Sequence, residues 1–97
     1  MIQLKLHYGP AFSQLTKIVN EDLNFDNELT MKALLEYYQD KYGNKFKELV
    51  WSKKDPNDFH DQLVIILNGK TFRDEKYLET VLKDGDDLTF LYVYFGG

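Results

Sequence analysis

Residues 90–97 read Phe-Leu-Tyr-Val-Tyr-Phe-Gly-Gly, an aromatic run followed by two residues without side chains. Gly96 and Gly97 carry no Cβ, so they adopt almost any backbone angle and can slide through a narrow slot. The group that follows Gly97 is an α-carboxylate. Such an ending suits a carboxylate that is threaded into another protein's active site and activated there. At ordinary glycine usage a terminal pair arises by chance in on the order of 0.5% of chains. The rest of the sequence therefore has to support the reading.

No other grouping of reactive side chains competes with this one. The chain has no cysteine, which excludes a thiol nucleophile, a thiolate metal site and a disulfide framework. His60 is a lone histidine in Asp58-Phe59-His60-Asp61, and a metal needs convergent ligands at a recognisable spacing, so no metal site is expected. His7 falls on the polar side of the first strand. Asp84, Asp86 and Asp87 offer paired carboxylates for acid–base work, but in an Asp-Gly-Asp turn such residues more often cap backbone or face solvent. No Ser-His-Asp set, P-loop or dinucleotide-binding glycine motif occurs. The chain is expected not to be an enzyme.

Ninety-seven residues make one small domain with a single core. Aromatic residues are 15% of the chain, and each buries a large area, so a small core can be built from few side chains. The net charge of −4 repels phosphate backbones and argues against nucleic acid as a direct partner. No apolar run approaches the roughly 20 residues that span a bilayer, and residues 1–6 lack the pattern of a signal peptide. The expectation is a whole cytoplasmic protein without membrane contact.

The elements that must position the ending follow from periodicity. Ile2, Leu4, Leu6 and Tyr8 alternate with Gln3, Lys5 and His7, which predicts a half-buried strand broken at Gly9-Pro10. Leu15 to Phe25 is the second strand candidate, with Leu15, Val19, Leu23 and Phe25 at even steps, and the two form a hairpin. Met31, Leu34, Leu35, Tyr38 and Tyr42 then fall on one stripe of a helix, with Thr30 as N-cap and Gly43 just past its end. Phe46, Leu49 and Val50 allow a short second helix in an irregular insert at 44–61. Within it, Lys53 to Asp61 reads as an exposed loop with a turn at Asp55-Pro56-Asn57-Asp58.

Leu63-Val64-Ile65-Ile66-Leu67 is continuous and β-branched, which predicts a strand buried on both faces. Asn68-Gly69 turns it into a short hairpin. Tyr77, Leu78, Val81 and Leu82 allow one helical turn, Asp84-Gly85-Asp86 turns the chain, and Leu88 to Phe95 is the last strand. Because a helix intervenes, that strand can pair in parallel with the first. The fold class is α+β: a mixed sheet of about five strands packed on one main helix, the β-grasp arrangement.

Three segments resemble the small sulfur carriers of the ubiquitin-like β-grasp group, which includes the molybdopterin synthase small subunit, the thiazole-pathway carrier and the ubiquitin-related modifier of transfer-RNA thiolation. They are Leu29-Thr30-Met31-Lys32-Ala33-Leu34-Leu35, Val64-Ile65-Ile66-Leu67-Asn68-Gly69, and Leu82-Lys83-Asp84-Gly85-Asp86-Asp87-Leu88 running on to Gly96-Gly97. With the opening strand, the likeness spans the chain apart from 44–61. Residues 91–95 lack the proline pair usual before the diglycine of molybdopterin synthase small subunits. The insert makes the chain longer than a minimal thiazole-pathway carrier. Neither departure touches the carrier chemistry.

The resemblance implies one β-grasp domain over residues 1–97 with a flexible Gly-Gly tail. An E1-like adenylating enzyme uses ATP to convert the Gly97 carboxylate to an acyl-adenylate, and sulfur transfer gives a thiocarboxylate. Gly96 is the spacer that keeps the channel clear, and no cofactor is bound tightly. The thiocarboxylate donates sulfur to an acceptor held by a larger synthase subunit, with molybdopterin synthesis the favoured pathway. The alternatives are a ubiquitin-like modifier joined through Gly97 to lysines of target proteins, or a carrier for transfer-RNA thiolation or thiamine synthesis. Leu91, Val93 and Phe95 are candidate partner-binding residues. Leu91 and Val93 read equally as core, while Phe95 beside the tail is assigned to the partner.

Overall fold

An extended chain points successive Cβ atoms to opposite sides, and the opening residues obey this fully. Ile2, Leu4, Leu6 and Tyr8 are buried, whereas Gln3 and Lys5 are exposed. The computed structural model describes residues 1–52, 59–60, 62–72 and 75–92. In chain order it has β1 (Ile2–Tyr8), α1 (Pro10–Thr16), β2 (Asn20–Phe25), β3 (Leu29–Thr30), α2 (Met31–Tyr42), α3 (Asn44–Val50), β4 (Leu63–Leu67), β5 (Lys70–Phe72), a 3₁₀ turn (Glu75–Glu79), β6 (Val81–Leu82) and β7 (Asp87–Tyr92).

Five strands form the main sheet in the order β2-β1-β7-β4-β5, while β3 and β6 make a separate antiparallel pair. β7 lies at the centre, parallel to β1 with Tyr8 beside Phe90, and antiparallel to β4 with Ile65 beside Phe90. This is the ubiquitin-like β-grasp anticipated above. On α2 the Thr30 hydroxyl accepts the Ala33 N–H at 3.2 Å, and the Gly43 N–H donates to the Gln39 carbonyl at 2.8 Å, so both ends are capped as the sequence indicates. Met31, Leu34, Leu35 and Tyr38 are buried, each side chain stabilising by about 1.5–3 kcal/mol, while Tyr42 is half-buried.

Tyr38 ties the helix to the sheet. Its ring meets Phe90 edge-on at 5.6 Å and stacks on Phe46 at 4.9 Å. Its hydroxyl lies 2.8 Å from that of Tyr8, which donates to Glu21 at 2.7 Å. Burial pushes both phenols far above their ordinary value, so they serve as neutral hydrogen-bonding groups.

The structure corrects several sequence expectations. The β1–β2 connection contains α1, where the sequence pattern predicts a simple turn and a long strand. Pro10 occupies the first helical position, where its missing N–H is no loss, and Phe12 and Ser13 N–H groups donate to the Gly9 carbonyl at 2.9 and 2.8 Å. Lys17 ends the helix with φ of 69°, which breaks any extended run from Leu15. Leu15 is therefore helical and Val19 is 60% exposed, and only Leu23 and Phe25 of that set lie in β2.

β4 is buried on one face through Leu63, Ile65 and Leu67, while Val64 and Ile66 are half-buried on the other. Asn68 and Gly69 both have positive φ, the signature of the tight hairpin turn expected there. The stretch read as one helical turn divides into the 3₁₀ turn, which buries Tyr77, and β6, where Val81 is 47% exposed. In the segment read as an exposed loop, residues 53–58 and 61 lie outside the described residues. Phe59 is buried, pairs with Trp51 as an antiparallel bridge and stacks on its ring at 5.2 Å. No helix among the described residues is long and apolar enough to cross a membrane.

Tyr38→Phe removes one hydroxyl but leaves Tyr8 bonded to Glu21. It is expected to lower stability by about 0.5–1.5 kcal/mol in urea denaturation. An unchanged midpoint would show that the hydroxyl pair contributes nothing.

Candidate functional site at the end of the central strand

β7 is the last described element before the C-terminal residues, so the side chains at its end are the described part of the candidate site. β1 accompanies β7 only as far as Phe90, whose carbonyl accepts the Gly9 N–H at 2.8 Å. There the chain turns away into α1. A Cβ at Gly9 would stand 2.9 Å from the Leu91 Cβ and 3.2 Å from its Cα, so the two backbones approach too closely for a side chain. Leu91 and Tyr92 keep a strand partner on the β4 side, opposite Val64 and Leu63.

Alternation separates these two residues. Leu88 and Phe90 are fully buried on the inner face, so Leu91 lies with Thr89 on the outer face, half-buried beside Val64. It is not a residue of the inner core. Tyr92 faces inward, against α1 and α3. Its ring stands edge-on to Phe12 at 5.6 Å and stacks on His60 at 5.0 Å, and its hydroxyl donates to the Leu49 carbonyl. His60 is itself fixed by backbone: its N–H donates to the Val50 carbonyl at 2.7 Å, and its Nδ1 accepts the Gln62 N–H at 3.1 Å. A groove of about 680 Å³ opens here, lined by Tyr92, His60 and Leu49 together with Ala11 and Leu15 of α1.

Val93, Phe95, Gly96 and Gly97 lie outside the described residues; of the sequence-nominated set, Leu91 alone is placed. Sequence reading missed Gly9, Phe12 and the contacts of Tyr92 with His60 and Leu49. Gly-Pro ahead of an apolar residue was a readable helix start. No sequence signal pairs His60 with Tyr92, because 32 positions separate them.

The other candidates make contacts within the fold. Asp84 accepts the Gln3 N–H at 2.8 Å, and Asp86 accepts the Lys83 N–H at 2.7 Å and the Asn68 amide at 3.0 Å, so these acids cap the turn as expected. Among the described residues, no group of three or more His, Cys, Asp or Glu could hold a metal ion. His7 places Nδ1 2.7 Å from the Asn20 side-chain oxygen and Nε2 2.9 Å from the Asp87 carboxylate. Both partners are acceptors, so the imidazolium satisfies both, and these hydrogen bonds raise its pKa above 6.5.

A raised folded pKa contributes stability below the unfolded value that is lost as pH rises through the folded one. Wild type should therefore exceed His7→Gln in urea midpoint at about pH 5.5, with the gap closing by about pH 8.5. A gap that widens with pH would contradict this. Gly9→Ala should destabilise by about 1–3 kcal/mol through overpacking against Leu91; an unchanged urea midpoint would show that the strands part without cost.

Comparison with known proteins adds the following. The model of the ThiS family matches residues 11–97. No curated protein matches the chain. Among solved structures, a Pyrococcus furiosus protein provisionally described as molybdopterin converting factor subunit 1 is 22% identical, covering 95% of this chain and 98% of that one, with a TM-score of 0.71. Small archaeal modifier protein 1 of Methanosarcina acetivorans is 21% identical, covering 100% and 98%, with a TM-score of 0.71. A structure of the BexX/CysO complex of Amycolatopsis orientalis gives 19% identity, 97% and 99% coverage, and a TM-score of 0.68. At these identities the likeness is one of fold.

Proposed function

The chain belongs to the ThiS family, and on that premise we propose that it carries sulfur on the carboxyl group of Gly97. Members of this family are non-catalytic sulfur carriers that hold no tightly bound cofactor and pair with adenylating enzymes. A carboxylate is a poor electrophile. In the adenylating enzyme a Gly97 oxygen attacks the α-phosphorus of ATP and pyrophosphate leaves. A sulfide-level sulfur donor then attacks the acyl carbon and displaces AMP, leaving the thiocarboxylate. Gly96 is the spacer that lets the tail enter.

The observation that supports this reading is that the family match, which runs through Gly97, includes β7 at the centre of the sheet. A body this firmly tied to its last strand lets docking of the domain deliver the carboxylate. Leu91, half-buried on the outer face beside Val64, is assigned to the docking surface together with Val93 and Phe95, which lie outside the described residues. We favour molybdopterin synthesis as the acceptor pathway, with a larger synthase subunit holding the acceptor, in the cytoplasm. The fold it shares with small archaeal modifier protein 1 favours one second reading, conjugation of Gly97 to lysines of target proteins. Lysine-linked conjugates in cells would support that reading over sulfur transfer. Transfer-RNA thiolation and thiamine synthesis are further acceptors of the same chemistry.

Gly96→Val should abolish ATP-dependent activation by the cognate adenylating enzyme without altering the urea midpoint, and adenylation retained in this variant would count against threading. Leu91→Asp should raise KM at least about ten-fold with kcat unchanged, as loss of a docking contact requires; an unchanged KM would remove Leu91 from the interface.

A further inference from the structure

The groove between α1 and α3 has a positive rim on a chain whose net charge is −4. We propose that it docks an acidic segment of the adenylating enzyme, with Lys17 and Lys45 receiving carboxylates and Leu15, Leu49 and Tyr92 receiving an apolar side chain. The proposal rests on the carrier reading given above.

Leu15 of α1, Leu49 of α3 and Tyr92 of β7 are half-buried in the floor, while Lys17 stands exposed at the end of α1 and Lys45 and Glu48 stand exposed on α3. Two lysines against one glutamate leave the rim positive, and among the described residues neither lysine has an ion-pair partner. Lys17 ends its helix with φ of 69°, a left-handed conformation that suits glycine and strains a lysine. Its N–H caps the helix on the Ser13 carbonyl at 2.8 Å, a bond that glycine would make equally well. The cap therefore gives no reason for an ammonium there, whereas a carboxylate in the groove does. Four large hydrophobic side chains are exposed among the described residues, and two of them, Ile18 at 41% and Val19 at 60%, follow Lys17 directly. Apolar exposure thus concentrates where α1 ends, as a docking surface requires.

Tyr92 points to the partner. Five residues follow it, so the Gly97 carboxylate stands within about 18 Å of it whatever path they take. An enzyme that encloses Gly97 therefore brings its own surface near the groove. Charge complementarity assigns that surface its chemistry: carboxylates opposite the two lysines, and an apolar side chain between them for the floor. Such contacts act on encounter and residence of the carrier, so their loss should fall on KM rather than on the chemical step.

Initial rates of ATP-dependent Gly97 activation by the cognate adenylating enzyme, measured against carrier concentration, test the assignment. The double variant Lys17→Glu/Lys45→Glu should raise KM at least about five-fold, with kcat changed less than about two-fold. The pair Lys32→Glu/Lys83→Glu, exposed and outside the groove, makes the same change in net charge and should leave KM as in wild type. Lys17→Gly relieves the left-handed strain, so its urea midpoint should hold or rise while KM rises about two- to three-fold. An unchanged KM in the groove variants, or an equal rise in the control pair, would overturn the docking site and leave the carrier reading standing. Dimerisation of wild type in sedimentation equilibrium, lost in Lys17→Glu/Lys45→Glu, would give the groove to a second copy and overturn its assignment to the enzyme. Absence of activation in wild type, with the enzyme shown to be active, would overturn both readings.

Discussion

Parallel pairing of the last strand with the first is the constraint on which this fold depends. Two parallel neighbours cannot be joined by a tight turn; the chain must travel back along the sheet before it enters the second strand. Here the residues between β1 and β7 make that return, and α2 is the part that crosses the inner face. Tyr8 on β1, Tyr38 on α2 and Phe90 on β7 meet where the three elements overlap, with Tyr8 and Phe90 stacked at 6.4 Å and Tyr38 edge-on to both. The central position of β7 follows, because β4 must pair with its remaining edge.

That arrangement leaves each end of β7 to be handled differently. At its start, carboxylates of the Asp84–Asp87 turn accept the Gln3 and Lys83 N–H groups, and the Asn68 side-chain oxygen accepts the Asp87 N–H at 2.9 Å. At its far end, beyond the last pair with β1, the Tyr92 side chain is held by Phe12 of α1 and the Leu49 carbonyl of α3. β7 is thus tied along both edges, to β1 on one side and to β4 on the other.

Sequence periodicity captured the elements whose burial is one-sided and regular. The alternation of Ile2 to Tyr8, the helical stripe from Met31 to Tyr42 with its Thr30 cap, and the Asn68-Gly69 turn all appear where patterning places them. It failed where short elements are set by tertiary contact. α1 has seven residues and one fully buried side chain, Phe12, so its period is too weak to outweigh the even spacing of Leu15, Val19 and Leu23. Phe59 and His60 looked like loop residues because their partners, Trp51 and Tyr92, come from distant or irregular segments. Gly96 and Gly97 stand out by residue type alone but lie outside the described residues, whereas the contacts of Tyr92 with Phe12, Leu49 and His60 follow from no spacing in the sequence.

The most direct test of the central claim is intact mass of the protein after incubation with ATP, its cognate adenylating enzyme and a sulfur donor, with fragmentation to locate any change. A sulfur carrier gains the mass of one oxygen replaced by sulfur, confined to Gly97. An unchanged mass, in a mixture where the adenylating enzyme is shown to be active, would contradict the assignment of Gly97 as the sulfur-bearing residue.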